Sequence, residues 1–217
     1  MSGFQFKVCE VEKLYRGIHK FQESYFKKEE EFFRRLSGKQ DPEVLFITCA
    51  DSRVDPTLVT QSRPGELFIV RNVGNIIPPY DAIRDKNSVA AALEFAVLVL
   101  KVADIIVCGH SNCGAMKVLF QNEKEFRNMP HLRAWVDISK AVRNHVEQHY
   151  TDTSPDLKER IMEKVNVLEQ LKNLETYPFI AQALEQGAVY LHGWYYDIGT
   201  GEVLSYNPVT DMFEKIP

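Results

Sequence analysis

Ile105-Ile106-Val107-Cys108-Gly109-His110-Ser111-Asn112-Cys113-Gly114-Ala115-Met116 is the stretch whose reading decides the fold. Four apolar residues run without alternation, then stop at a glycine, a histidine and a cysteine before a helix-like pattern begins. An apolar run of that length without polar alternation reads as a strand buried on both faces, and such strands belong to parallel sheets covered by helices.

Two more runs of the same kind lie upstream, Val44-Leu45-Phe46-Ile47 after Asp41-Pro42 and Leu67-Phe68-Ile69-Val70 after the turn pair Pro64-Gly65. Residues 87–102, with Val89, Leu93, Phe95, Ala96, Leu98 and Val99, read as a helix with a broad buried surface that connects the second run to the third. Downstream, residues 115–120 read as a helix leaving the sheet, and residues 123–150 as helical with a break at Pro130. Residues 156–174 carry Leu157, Ile161, Val165, Leu168 and Leu171 at three- and four-residue spacing. That pattern is an amphipathic helix on the surface, and no chemistry is assigned to it. The aromatic run 188–196, the Gly-rich turn at 197–201 and the run 203–206 read as a hairpin.

The expected fold is therefore α/β: a mainly parallel central sheet with an antiparallel C-terminal edge, flanked by helices. With 217 residues the default is one domain, spanning 1–217. Residues 1–38 form an N-terminal helical arm, where Leu14, Ile18, Phe21, Tyr25, Phe32 and Phe33 make an apolar stripe between charged residues. The stripe either packs on its own core or grips a partner subunit.

A net charge of -4 supplies no general attraction for a phosphate backbone, so nucleic acid is not an expected partner. No stretch approaches the roughly 20 apolar residues that a bilayer requires, and the first ten residues lack an apolar export core. No membrane association is expected, and the cytoplasm is the expected location, a carboxysome-like shell being the other. The four cysteines, Cys9, Cys49, Cys108 and Cys113, are accordingly read as thiols or metal ligands.

His110 and Cys113 are two ligands short of a metal site. Ligand sites in open parallel sheets form beyond the carboxyl ends of strands, and Cys49 ends the first apolar run. If the first and third strands are neighbours, Cys49, His110 and Cys113 converge. Two thiolates and an imidazole suit zinc, and three protein ligands leave open the fourth position that a catalytic zinc needs. Cys108 lies one step deeper in its strand and is assigned to the core. Asp51 and Arg53 follow Cys49 at two-residue intervals, where an arginine fork would hold the carboxylate ionised beside the metal.

The segments Cys49-Ala50-Asp51-Ser52-Arg53-Val54, Gly65-Glu66-Leu67-Phe68, Val70-Arg71-Asn72, Pro78-Pro79-Tyr80, Gly109-His110-Ser111-Asn112-Cys113-Gly114 and Leu191-His192-Gly193-Trp194 together resemble the β-class carbonic anhydrases. Gln40, Phe68 and the run Asn75-Ile76-Ile77-Pro78-Pro79-Tyr80 are similar to the plant and cyanobacterial type. The resemblance implies one zinc ion per subunit on Cys49, His110 and Cys113, with Asp51 and Arg53 as a catalytic dyad. It implies reversible hydration of CO2 to bicarbonate and a proton by attack of zinc-bound hydroxide. It further implies a substrate pocket lined by Gln40, Phe68, Val73 and Phe95, with the backbone of Gly114 near the substrate oxygen. Members of the family form homodimers with pockets at the subunit interface, and often tetramers, which turns the reading of the arm toward a partner-clasping role. Phe95 stands where most relatives carry tyrosine, and Val99 where plant-type members carry a histidine, so neither group can serve here in relaying protons. The alternatives at the same site are hydrolysis of carbonyl sulfide or carbon disulfide, and a zinc-stabilised interaction module without catalysis.

Overall fold

A computed structural model of the chain describes residues 8–82, 86–121 and 123–216. The readings of Cys9, of most of the first ten residues and of the end of the 71–85 loop lie outside the described residues and side chains. The chain divides into two compact units, Met1–Gln40 and Asp41–Pro217.

In the first unit, helix α1 (Val8–Lys20) runs into a π-helical segment, Phe21–Phe26, followed by α2 (Glu30–Leu36). The expected stripe splits in two. Its aromatic half packs ring on ring, with Phe33 stacked 5.2 Å from Phe26 and edge-on 5.8 Å from Phe21. Leu14 and Ile18, the aliphatic residues of the stripe, are exposed, as are its Phe21 and Tyr25 and the neighbouring Tyr15.

The second unit opens with β1 (Val44–Cys49), then α3 (Pro56–Thr60), β2 (Leu67–Asn72), α4 (Ser88–Glu94) with a π-helical continuation Phe95–Leu100, and β3 (Asp104–His110). Asp55 caps α3 and Asn87 caps α4, each accepting from the two free amides of the first turn. The helices α5 (Gly114–Leu119), α6 (Pro130–Val136), α7 (Lys140–His149), α8 (Pro155–Glu175) and α9 (Pro178–Glu185) follow. Pro130 is the first residue of α6, where its missing N–H costs nothing. The chain closes with β4 (Tyr190–Tyr196), β5 (Val203–Asn207) and β6 (Met212–Lys215).

Among the described residues the strands form one sheet in the order β2-β1-β3-β4-β5-β6. β2, β1, β3 and β4 are parallel, while β5 and β6 are antiparallel additions. The expected fold class is borne out, and β6 is an extra strand that the charged tetrapeptide Met-Phe-Glu-Lys does not announce. The chain leaves β1 for β2 on one side and then returns to β3 on the other, so the order reverses at β1, the kind of place where open α/β sheets hold their ligands.

Leu45, Ile47, Ile105 and Val107 face a core completed by Val89, Leu93 and Ala96 from the α4 region and by Val167 and Leu174 of α8. The opposite face carries a smaller cluster around Phe46, Ile106 and Cys108, in which Phe46 meets Trp194 edge-on at 5.9 Å. Beyond the carboxyl ends of the strands, α5, α6, α7 and α8 close over a third cluster that includes Cys49 and Cys113.

Helix α8 corrects one expectation. It is a central element, and the positions buried along it are Met162, Glu163, Asn166, Val167, Gln170, Asn173 and Leu174, while Leu157 is 51 % exposed. The reason lies in the strands beneath it. A Cβ on Gly109 would come within 2.7 Å of Val167 Cγ2 and one on Gly193 within 3.0 Å of Leu171 Cδ1, so these two glycines let α8 settle onto β3 and β4. The polar residues so buried are retained because loop backbone groups bind them.

Candidate metal centre

Register sets the first half of the site. Thr48 of β1 is level with Cys108 of β3, so Cys49 and His110, each the last residue of its strand, end side by side. Cys113 follows one tight turn later, in which Asn112 adopts φ 56°, a left-handed conformation that asparagine tolerates. Cys49, His110 and Cys113 are 5 %, 1 % and 2 % exposed, and their ligand atoms all lie within 4.8 Å of one another. They are the one such cluster among the described residues.

The donor set fits zinc. The two sulfurs are 3.9 Å apart, against the roughly 3.8 Å that two Zn–S bonds of about 2.3 Å subtend at a tetrahedral angle. His110 Nδ1 donates to the Ser111 carbonyl at 2.9 Å, which leaves Nε2 as the lone-pair nitrogen. That Nε2 is buried with no partner, a costly state for a polar atom unless a cation sits in front of it. Without an ion the cysteines share a proton. The Cys113 thiol, aided by His110 and the Gly74 amide, holds Cys49 well below the usual thiol range against the effect of burial, and the Cys49 thiolate in turn raises Cys113. Burial opposes a charge on His110, but the Cys49 thiolate tips it upward. Uptake of a cation must therefore release protons. Cys108, by contrast, is pushed by burial up to about 12, in keeping with its place in the core.

Asp51 and Arg53 meet as a fork. Arg53 Nε and Nη2 donate to the two Asp51 oxygens at 2.9 and 2.7 Å, and the Arg53 amide adds a third bond at 2.9 Å. Arg53 Nη2 also donates to the Asn112 carbonyl at 3.0 Å, joining the Cys49 loop to the Cys113 turn. The guanidinium holds the Asp51 carboxyl well below the usual carboxylate range. Asp51 Oδ2 lies 3.9 Å from His110 Nε2, at the edge of the ligand triangle.

The remaining expected residues are placed less simply. Val73 is half-exposed beside Gly74, and its carbonyl accepts from Trp135 Nε1 at 2.7 Å. A Cβ on Gly114 would meet nothing within 4 Å, so free space adjoins the turn. Phe68 and Phe95 pair at 5.8 Å. Phe68, however, is level with Leu45, four residues back from the level of Cys49, which is about 13 Å along the strand. Gln40 closes the first unit.

Three contributors escaped the sequence reading. Arg71 Nε and Nη2 donate to the carbonyls of Cys49 and Asp51 at 3.1 and 2.7 Å, bracing the loop between them. Glu163 accepts from the Cys113 amide at 2.9 Å and from Tyr195 Oη at 2.7 Å, its carboxyl raised by burial. The Gly74 amide donates to Cys49 Sγ at 3.4 Å. Glu163, Asn166, Gln170 and Asn173 recur at helical spacing on one stripe, and that recurrence was the available signal.

The carbonic anhydrase family model matches residues 44–203. A carbonic anhydrase of Synechocystis sp. is 44 % identical over 203 residues, covering 94 % of this chain and 73 % of the relative. The solved structure of the β-carbonic anhydrase CcaA superposes with a TM-score of 0.92 at 43 % identity, covering 95 % of this chain and 99 % of that one. A structure from work on two tetrameric β-carbonic anhydrases of Sordaria macrospora superposes at 0.80 with 31 % identity, over 90 % of this chain and 95 % of that one.

Proposed function

The chain belongs to the β-class carbonic anhydrase family, and from that premise we propose that it binds one zinc ion on Cys49, His110 and Cys113 and hydrates CO2 to bicarbonate and a proton. The observation that carries the reading is the ligand triangle with its orphaned His110 Nε2 and the Asp51–Arg53 fork at its edge.

Zinc, when bound, supplies a Lewis acid that makes hydroxide available near neutral pH, a property for which carbonic anhydrase is itself the standard example. The chain supplies the rest. Asp51, kept ionised by Arg53, is an acceptor only, so a water or hydroxide beside the ligand atoms must turn its hydrogen toward Oδ2 and its lone pair away, toward incoming CO2. Val73 and the open space at Gly114 bound the position where CO2 would lie. The surplus proton leaves through solvent or buffer, since Phe95 and Val99 offer no titrating group.

Phe68 stands too far along β2 from Cys49 to line the pocket of its own subunit, and Phe95, at the start of the π-helical segment after α4, packs against it, so we assign both to the pocket of a partner copy. The exposed Leu14, Tyr15 and Ile18 of the arm and the tetrameric relatives support a homodimer or a tetramer built from it. Among the described residues no helix is long and apolar enough to cross a membrane, and a cytoplasmic or carboxysome-like location is proposed on the cyanobacterial likeness. Stopped-flow measurement of CO2 hydration beside carbonyl sulfide hydrolysis tests the assignment: faster turnover of carbonyl sulfide would transfer the function to that substrate.

A further inference from the structure

The buried polar stripe of α8 forms a closed hydrogen-bond chain that ends on the backbone beside Cys49. Ile77 N donates to Gln170 Oε1 at 2.7 Å, and Gln170 Nε2 donates to Asn166 Oδ1 at 2.9 Å. Asn166 Nδ2 donates to the Gly74 carbonyl at 3.0 Å. Asn173 Nδ2 donates to the Ile77 carbonyl at 2.9 Å and also to Gln170 Oε1 at 3.2 Å, while Ser139 Oγ donates to Asn166 Oδ1 at 3.1 Å. Gln170 Nε2 also reaches Ser139 Oγ at 3.3 Å.

The orientation of every amide is forced. A backbone N–H can only donate, so Ile77 requires the oxygen of Gln170; its nitrogen must then face Asn166, which must answer with oxygen. The Asn166 nitrogen is thereby aimed at the Gly74 carbonyl, which can only accept. Asn166 and Gln170 are 1 % and 0 % exposed, so no water can substitute for a lost partner without opening the helix packing.

Gly74 is what this chain holds in place. Its φ of 81° and the 2.9 Å at which a Cβ built on it would meet Ala115 Cβ admit no side chain, and its amide donates to Cys49 Sγ. A hydrogen bond to a metal thiolate draws charge from the sulfur and fixes its direction. We propose that Asn166 is a positioning residue of the metal centre, holding Gly74 so that its N–H bonds the Cys49 sulfur. The proposal deepens the zinc reading above and rests on it for the identity of the ligand set.

The test reads Asn166→Asp, which keeps shape and when ionised has no donor for the Gly74 carbonyl, together with Asn166→Leu, which has no donor in any protonation state, with Leu174→Ala as a control that destabilises the same helix but keeps the Asn166–Gly74 hydrogen bond. In protein carrying Co2+ in place of zinc, both Asn166 variants are expected to shift the thiolate-to-cobalt absorption band. Zinc transfer to a chromogenic chelator should also speed up by about 10- to 100-fold. Leu174→Ala should lower the melting temperature and leave the band unmoved. If neither Asn166 variant folds, Ser139→Ala, which takes one donor from Asn166 Oδ1, should move the band less and in the same direction. An unmoved band and unchanged zinc release in whichever variant folds would overturn the proposal. Both readouts are independent of CO2 turnover, so a wild-type protein inactive toward CO2 would sink the functional reading alone.

Discussion

The Cys49 and Cys113 sulfurs sit 3.9 Å apart across two loops separated by 64 residues of chain. The contact between the two sulfurs is at hydrogen-bond range for sulfur, and the distance suits a shared zinc ion. Cys113→Ala should therefore reduce the metal content from about one zinc per chain to near zero, whereas Cys108→Ala should leave it unchanged. Elemental analysis of the purified variants decides; a full complement of zinc in Cys113→Ala would remove that residue from the ligand set.

Asp51→Asn keeps the size of the side chain but puts an amide nitrogen where Arg53 donates. The variant should retain zinc while CO2 hydration falls by about 10²- to 10⁴-fold, the usual range for loss of a positioned acid–base group. Arg53→Lys, which keeps charge but loses the two-pronged geometry, should fall less far. Turnover at the wild-type rate in Asp51→Asn would take the carboxylate out of the mechanism.

Gly109 shows how a strand residue sets the place of a helix. Gly109→Ala places a methyl 2.7 Å from Val167 Cγ2 and 3.3 Å from the Glu163 carbonyl, and should destabilise the fold by about 1–3 kcal/mol. Val167→Ala in the same chain should recover part of that loss, since it removes the nearer contact. Urea unfolding of the single and double variants measures both, and an undisturbed midpoint in Gly109→Ala would mean that α8 does not lie against β3 as described.

Tyr177 donates its hydroxyl to the Pro78 carbonyl at 2.7 Å, and burial pushes its pKa up to about 12. A phenol with a folded pKa above its unfolded value near 10 contributes stability that is complete below pH ~10 and is lost as pH rises through the folded value. Wild-type stability should thus fall between about pH 10 and 12 more steeply than that of Tyr177→Phe, which is less stable at pH 8 but lacks this titration. Parallel slopes in urea midpoints across that window would contradict the assignment.

Much of this architecture was legible because buried parallel strands advertise themselves. β1 and β3 carry no polar alternation, and each ends on a metal-binding side chain, so Cys49, His110 and Cys113 could be joined once the strands were taken as neighbours. α8 was misread for a physical reason. Its leucines and valines at regular spacing outnumber its buried amides, and the helical recurrence of Glu163, Asn166, Gln170 and Asn173 carries weight as a buried stripe only beside the backbone groups it binds. The same limit hid Arg71 and Glu163, whose partners include peptide groups at distances of 22 and 50 residues. Phe68 and Phe95 were expected in the pocket from the family resemblance alone; the register of β2 with β1 shows how far Phe68, with Phe95 packed on it, stands from Cys49.

The most direct test is a zinc-edge X-ray absorption spectrum of the purified protein, taken on the same sample as a stopped-flow CO2 hydration trace. The expected spectrum has two sulfur and one imidazole scatterer with one lighter atom in the fourth position, accompanied by rapid hydration that disappears on chelation and returns with zinc. A zinc-replete protein with that ligand set and no hydration above the buffer rate would contradict the account.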